Sequence, residues 1–504
     1  MTDTYINTTI QTDANATDAF DMTGVDDTLF LASTGSLIAL GTNSNGLDMQ
    51  AGEEIATLDG TVYSAHGSGV ADTSSGGSFI TVNGEVDAAA GDGIYANAGG
   101  DTILVNGSVN SGADFGIEAD GVDTEVTVNG SVTGSGGIFA TANDQTIRVN
   151  GSVDGSEDGI QIFATYQLVD IGAKGDVYGY YVGLEATGTD QDVKNSGHIS
   201  GGDNVGLFAY GSTGLTLVND GAINGIEVTA SSGTSIQNAG LISSETGTNA
   251  IQVISLSTGT FIENSGTVHG NLIADPTSSV TVQNFGSWNG QFQIESSSNS
   301  VFNTGTISNG MIFGTFSNST SGNSIVNDGT IHGGIEFNTV EGTPGNDTLT
   351  NSGTIYGGVH MSTNETLTNT DTIHGNVYFS SGTTIDSGDT FDNSNGVVLG
   401  TINGGGGYDT FIIGTGSNTY NPAGYNDHFD FGASFGNDII DGFKTGTGHD
   451  YISFSGGDFS SYTELQTHMT QVGGNTIITL ESGSTIELHA LTMTHLSSAD
   501  FIFG

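Results

Sequence analysis

Short runs of alternating apolar and polar residues follow one another along most of this chain, each closed by a turn rich in Gly or Asn. In the stretch 91–113, GDGIYANAGGDTILVNGSVNSGA, one run covers 93–96 and ends in a Gly-rich turn. A second covers 102–105 and enters Asn106-Gly107, and a third covers 108–110. The plan then repeats with FGIEA at 115–119, VTV at 126–128 and SV at 131–132. A period of two predicts strands with one buried face, and no stretch of useful length shows helical periodicity. Three short strands per repeat predict the three sides of a parallel β-helix.

The repeat is marked by a phrase: Asn, one or two linkers including Gly, then Val or Ile. It reads VNGEV at 82–86 and VNGSV at 105–109, 128–132 and 149–153, then KNSGHI at 194–199 and VNDGAI at 218–223. It continues as QNAGLI at 237–242, ENSGTV at 263–268, FNTGTI at 302–307, VNDGTI at 326–331 and TNSGTI at 350–355. Recurrence at this period predicts a solenoid with one coil per repeat. Counting Asn or its substitutes from Asp59 to Asn369 gives about fifteen coils. The expected class is therefore all-β, a right-handed parallel β-helix. The motif Asn is expected at a corner, where it tolerates left-handed backbone geometry, with its amide bonded to the next coil. The following Val or Ile should point inward, as should Trp288, the sole tryptophan, in QNFGSW. The ends of such a stack expose strand edges that need caps or invite end-to-end stacking. Residues 1–55 are assigned to an N-terminal cap or assembly segment and 56–400 to the coils. The coil region resembles the passenger rods of bacterial autotransporters and large adhesins, in which phrases like NSGTI recur, though the translocating barrel of an autotransporter is missing.

From 401 to 445 the period shortens to nine. Gly405, Gly407, Asp409 and Phe411 recur as Gly414, Gly416, Asn418 and Tyr420, and then Asp427 and Phe429 keep the register while Ala423 and Tyr425 replace the glycines. The first copy, GGGGYDTFI, matches the nonapeptide GGxGxDxUx in full. This segment resembles the calcium β-roll of the repeats-in-toxin family. The resemblance implies Ca2+ clasped by Gly carbonyls and Asp carboxylates of neighbouring turns, with the large apolar residue stacked inside. Asp409 is then the best single ligand, Gly405, Gly407, Gly414 and Gly416 offer carbonyls, Asp427 is a further candidate, and Asn418 ligates without bringing charge. A lone nonapeptide-like fragment, GTPGNDTL at 342–349, makes Asp347 either a ligand or plain turn chemistry. Beyond the roll, FGNDIIDGF, HDYISFS, NTIITLESGSTIELHAL and SSADFIFG follow in that order. The order resembles the C-terminal module of repeats-in-toxin proteins exported by type I secretion, which assigns 446–504 to that module, with Asp500, Phe501, Ile502 and Phe503 as the export end.

The same resemblance implies a chain that stays unfolded in calcium-poor cytosol and folds outside the cell, and composition is compatible with it. Gly is abundant at 82 of 504 residues while Pro numbers 3, a balance suited to tight turns between short strands. Four basic residues, Arg148, Lys174, Lys194 and Lys444, stand against 56 acidic ones, a net charge of −52. Such a surface cannot neutralise phosphates, which excludes nucleic acid, and it disfavours anionic membranes and polyuronates. It favours divalent cations, and repulsion relieved by calcium gives a physical cause for folding only outside the cell. Absence of cysteine removes disulfides and thiolate metal sites. The opening MTDTYINTTIQTD lacks the basic and apolar regions of a secretory signal peptide, and no apolar run approaches the ~20 residues of a membrane helix.

Parallel β-helices often host polysaccharide lyases and epimerases, which need cations beside their substrate's carboxylate. Arg148, Lys174 and Lys194 lie in successive coils, yet no cluster of His and Tyr can be placed beside them. His269, His332 and His374, with Tyr356 between the last two, follow the motif aliphatic. Two or three coils at ~4.8 Å each separate the His, too far for ligands ~2 Å from one ion, so they are expected as exposed ladder residues. The sequence thus points to a non-catalytic structural protein of the bacterial exterior: a surface layer, filament or biofilm matrix, self-associating through coil ends. An adhesin for a host or glycan surface is the alternative. An ice-binding solenoid ranks lower, because the Thr-x-Thr phrases at 366–368 and 370–372 are not repeated down one face, and a lyase or epimerase ranks last.

Overall fold

The structure is a computed structural model that describes residues 2–202, 205–244, 248–314, 320–338, 344–380 and 388–503. The chain divides into two compact units, Met1–Gly270 and Asn271–Gly504. Both are β-solenoids in which strands of successive coils pair in parallel, and the coils total about 19. The three strands predicted for one coil are observed as Ile94–Ala96, Thr102–Val105 and Ser108–Ser111. Register is strict. Val82, Val105 and Val128 are partners, and so are Val86, Val109 and Val132. In-register stacking follows from burial of one face, since a slip of one residue would turn every Val outward.

Between Asp59 and Asn369 the first-sheet strands run from Ile55–Leu58 to Thr260–Asn264 in one unit and from Val280–Asn284 to Thr366–Asn369 in the other, in agreement with the expected fifteen. The coil plan extends beyond that stretch on both sides. Residues assigned to an N-terminal cap form coils of the same design: Asp3–Ile6 pairs with Thr28–Leu31, which pairs with Ile55–Leu58.

The expected role of the motif Asn holds in its hydrogen bonding and fails in its backbone. None of the motif asparagines has a positive φ. The left-handed corner sits elsewhere, immediately before the first strand of the coil. Asp26, Asp123, Asp144, Asp190, Ser298, Asn346, Asn364 and Asn426 all have φ between 51° and 64° there. The Gly of the phrase is required by close approach instead. A Cβ on Gly107 would collide with the carbonyl oxygen of Gly84, and one on Gly130 with that of Gly107.

The two spellings of the phrase put Asn on different faces. In VNGSV the Asn is exposed and forms an outer ladder, with Asn106 Nδ2 donating to Asn83 Oδ1 at 2.8 Å and Asn129 Nδ2 to Asn106 Oδ1 at 2.9 Å. In the longer spelling Asn moves one place back, into the inward position held by Val82 in earlier coils. Asn195, Asn219, Asn238 and Asn264 then form a buried ladder with spacings of 2.7–2.8 Å. The second unit has its own, from Asn284 through Asn303, Asn327, Asn351, Asn369 and Asn393 to Asn418. Trp288 is fully buried in register with Ile307, as expected of a core filler.

Past Val397–Val398 the middle strand of the coil is lost. Strands at Thr410–Ile413 and His428–Phe431 continue the first sheet, while Thr401–Asn403 and Thr419–Asn421 continue the third. Each turn now holds two nine-residue halves, and the coil becomes two-sided. Phe411 and Phe429 stack at 5.0 Å with Tyr420 edge-on between them, so the large residue of each nonapeptide fills the interior. The remainder closes the end of the second unit. Met469–Val472, Asn475–Thr479 and Thr485–His489 form an antiparallel meander, and the last of them pairs with Asn437–Asp441. The terminal strand Phe501–Phe503 pairs with Tyr451–Phe454, and Asp500 caps its own short turn through Ser497.

Candidate metal centre

The residue that follows the left-handed corner turns its side chain into the coil just before the first strand. In the second unit these residues form a continuous buried column: Asn299, Asn323, Asp347, Glu365, Asp389, Asp409, Asp427 and Asp450. Each accepts a hydrogen bond from the backbone N–H of its counterpart one coil earlier. Asp347 N donates to Glu365 Oε2 at 2.8 Å, Glu365 N to Asp389 Oδ1 at 2.8 Å, and Asp389 N to Asp409 Oδ1 at 3.0 Å. Asp409 N donates to Asp427 Oδ1 and Asp427 N to Asp450 Oδ1, both at 3.0 Å.

One carboxylate oxygen is thereby used and the other is left over. Asp347 Oδ2, Glu365 Oε1, Asp409 Oδ2 and Asp427 Oδ2 are buried and accept no hydrogen bond. A buried anionic oxygen without a partner is costly unless a cation or proton meets it. Burial accordingly pushes the carboxyl of Asp409 up to about 9 and those of Asp427 and Asp389 up to about 7. Desolvation is the largest cause in each case, and the neighbouring carboxylates add to it for Asp409 and Asp427.

Two of the orphan oxygens face main-chain carbonyls across glycine-lined gaps. A Cβ on Gly424 would lie 3.1 Å from Gly407 O and 3.3 Å from Asp427 Oδ2. A Cβ on Gly404 would lie 2.9 Å from both Asp409 Oδ2 and Pro422 O, with the edge of the Phe411 ring at 2.8 Å. Carboxylate and carbonyl oxygens around a small gap are the hard donor set that calcium takes, so the residues present fit that ion. Gly405 and Gly407 have φ of 78° and 125°, backbone conformations that favour glycine.

Asp347, Asp409 and Asp427 thus share one column, whereas Gly414, Gly416 and Asn418 lie on the opposite side of the two-sided coil. Asn418 is the last rung of the Asn ladder. Its Oδ1 accepts from Asn393, its Nδ2 donates to Val398 O at 2.7 Å, and its N–H donates to Asp438 Oδ1 at 2.9 Å. Its amide is engaged by the fold on both atoms. Asp438 is the carboxylate on that side, with an orphan Oδ2 and a carboxyl raised by burial to about 7.

The third nonapeptide departs from the pattern for a visible reason. The Lys444 ammonium donates to the carbonyls of Ala423, at 2.7 Å, and Gly424, and lies 3.9 Å from the centre of the Tyr425 ring. A tethered cation sits on carbonyls of this turn, and the ring face of Tyr425 adds a cation–π contact.

Glu365, Asp389, Asp438 and Asp450 were not singled out by the nine-residue spacing. A different phrase signals the first two: DTL at 347–349, ETL at 365–367, DTF at 389–391 and DTF again at 409–411. It spans both coil types because it marks the entry to the first sheet, not the length of the turn.

Other candidates are separate from this column. Among the described residues, Asp18, Asp21 and Asp48 place carboxylate oxygens within 4.8 Å of one another, and Asp21 is exposed. Arg148 reaches Glu125 at 3.6 Å, and Asp170 stands between Arg148 and Lys194 in the register, so the basic stripe is interleaved with acid. His332, Tyr356 and His374 are exposed and stack face to face at 4.8 and 4.5 Å. No protein-family model matches the chain, and no curated protein matches it.

Proposed function

We propose that this chain is a calcium-stabilised structural protein of the bacterial exterior, a building unit of a surface layer, filament or matrix that associates with its own copies. The observation that carries the reading is the pair of orphan oxygens on Asp409 and Asp427, each facing a carbonyl across a glycine-lined gap. A buried pair of this kind favours a hard cation, and a net charge of −52 makes the folded chain dependent on cations for relief. Regular coils joined by ladder after ladder suit a scaffold. The small number of Lys and Arg leaves trypsin-like proteases few cleavage sites, which suits life outside the cell. The nonapeptide resemblance supports export by type I secretion.

Calcium titration followed by circular dichroism and scanning calorimetry tests the reading. The chain should gain β-structure and melt tens of degrees higher in calcium than in EGTA, and Asp409→Asn should weaken that gain. An Asp409→Asn chain with unchanged calcium dependence would sink the site. Electron microscopy of purified protein should show ordered polymers in calcium; monomers under every calcium condition would remove self-association.

The exposed stack of His332, Tyr356 and His374 favours a second reading, an adhesin, because its open edge carries a phenol hydroxyl and imidazole nitrogens that can hydrogen-bond to glycan hydroxyls. Glycan binding lost on Tyr356→Ala would support it.

A further inference from the structure

We propose a second divalent-cation site among the three-sided coils, outside the nine-residue segment, held by Asp347 and Glu365 beside Gly345. Gly345 and Asp347 lie in the lone nonapeptide-like fragment at 342–349, whereas Glu365, from the next coil, lies outside it. It rests on the same cation chemistry as the proposed function but on different residues, so each can fail alone.

The geometry is set by the column. Asp347 Oδ1 accepts from both the N–H and the side-chain amide of Asn323, at 2.6 and 3.0 Å. Glu365 Oε2 accepts from Asp347 N. Those bonds fix both carboxylates and leave Asp347 Oδ2 and Glu365 Oε1 without partners, on side chains that are each 1% exposed. Both free oxygens border one space. A Cβ on Gly345 would collide with Glu365 Oε1 and lie 3.1 Å from Asp347 Oδ2. The absence of a Cβ at Gly345 lets the Glu365 carboxylate oxygen approach the backbone there, near Asp347 Oδ2. Asp389 positions the pair by accepting from Glu365 N at 2.8 Å.

Two carboxylates from adjacent coils sharing one dry space cannot both stay charged without an ion between them. The first shell offered by the side chains is oxygen alone, which selects a hard ion of the calcium type over zinc or copper. Glu365 supplies one more methylene than the Asp of neighbouring coils. That added reach brings its Oε1 to the space beside Gly345.

The test uses the full chain carrying Asp409→Asn and Asp427→Asn, so that the nonapeptide pair is disabled. Equilibrium dialysis with calcium alone should show that adding Glu365→Gln removes one bound ion per chain. Equal calcium counts with and without Glu365→Gln would overturn the site. Calorimetry supplies a second readout. Gln keeps the acceptor for Asp347 N and removes a buried charge. Glu365→Gln should therefore melt higher than its parent in EGTA and show a smaller upward shift on adding calcium. A lower melting point in EGTA with the calcium shift intact would assign Glu365 a purely structural role and overturn the proposal. Asp347→Asn serves as the second variant and should give the same pair of shifts. A folded Asp409→Asn, Asp427→Asn chain that binds no calcium would also overturn the site at Glu365, whereas one that keeps a bound ion removed by Glu365→Gln separates the two sites.

Discussion

A single Asn changes meaning with its position by one residue. At Asn106 the side chain is exposed and its ladder bonds compete with water. At Asn303 it is fully buried, donates to Asn327 Oδ1 at 2.7 Å and accepts from Asn284 Nδ2 at the same distance. Replacing Asn303 by Ala removes the donor to the buried Asn327 Oδ1, at a cost of ~1–3 kcal/mol for the group left unpaired, while Asn284 Nδ2 keeps its longer bonds to Gly286 O and Thr306 O. Asn106→Ala should cost well under ~1 kcal/mol, because water replaces the lost bond. Denaturant unfolding in saturating calcium measures both, and equal effects would contradict the inner and outer distinction. The sequence showed that Asn recurs. Which face it occupies followed from the length of the linker after it, three residues to the aliphatic in VNGSV and four in KNSGHI.

At the scale of the coil, close stacking of backbone on backbone decides the fold. Gly84, Gly107, Gly130 and Gly151 sit where each turn rests on the carbonyl of the turn before. Gly107→Ala must push two coils apart, since its Cβ meets main chain that cannot rotate away. Overpacking of this kind typically costs ~1–3 kcal/mol, and this site belongs at the upper end. Hydrogen exchange at Val105 and Val128 should rise in the variant, while a site such as Gly473, with open space around it, should accept Ala with little strain from contacts, though its φ of 62° disfavours it. Unchanged exchange around Gly107 would contradict the argument. The shift from three strands per turn to two was legible, because the period drops from about two dozen residues to nine. That both coil types share one carboxylate column is hidden from the repeat period, because their repeat lengths differ, and is signalled only by the phrases DTL, ETL and DTF at the strand entries.

For the whole molecule the balance of charge and burial sets the conditions of folding. The carboxyls of Asp101, Asp427 and Asp438 are raised to about 7 and that of Asp409 to about 9, all chiefly by desolvation. An unfolded Asp titrates near ~4, so between roughly pH 4 and 9 the metal-free folded chain binds more protons than the unfolded one. Its stability is therefore greatest in acid and falls as pH rises through that window. Calcium bound as proposed to deprotonated Asp409 and Asp427 should lessen the fall. Melting temperatures should drop from pH 5 to pH 8 in EGTA and drop less in calcium. A metal-free chain that grows more stable towards pH 8 would refute this.

The sequence by itself determined the class, the coil unit, the inward Val, Ile and Trp288, and the change of period at the nonapeptides, because each is a matter of alternation and spacing along the chain. Only the tertiary structure decided which polar residues meet. Asp347, Glu365, Asp389, Asp409 and Asp427 are joined by hydrogen bonds across coils of unequal length. Asn418 was drawn into a ladder, and Lys444 was brought onto the carbonyls of a turn some twenty residues earlier. The physical reason is that ladder bonds run perpendicular to the chain. Their partners are set by stacking register, and a loop of any length can restore that register between one coil and the next.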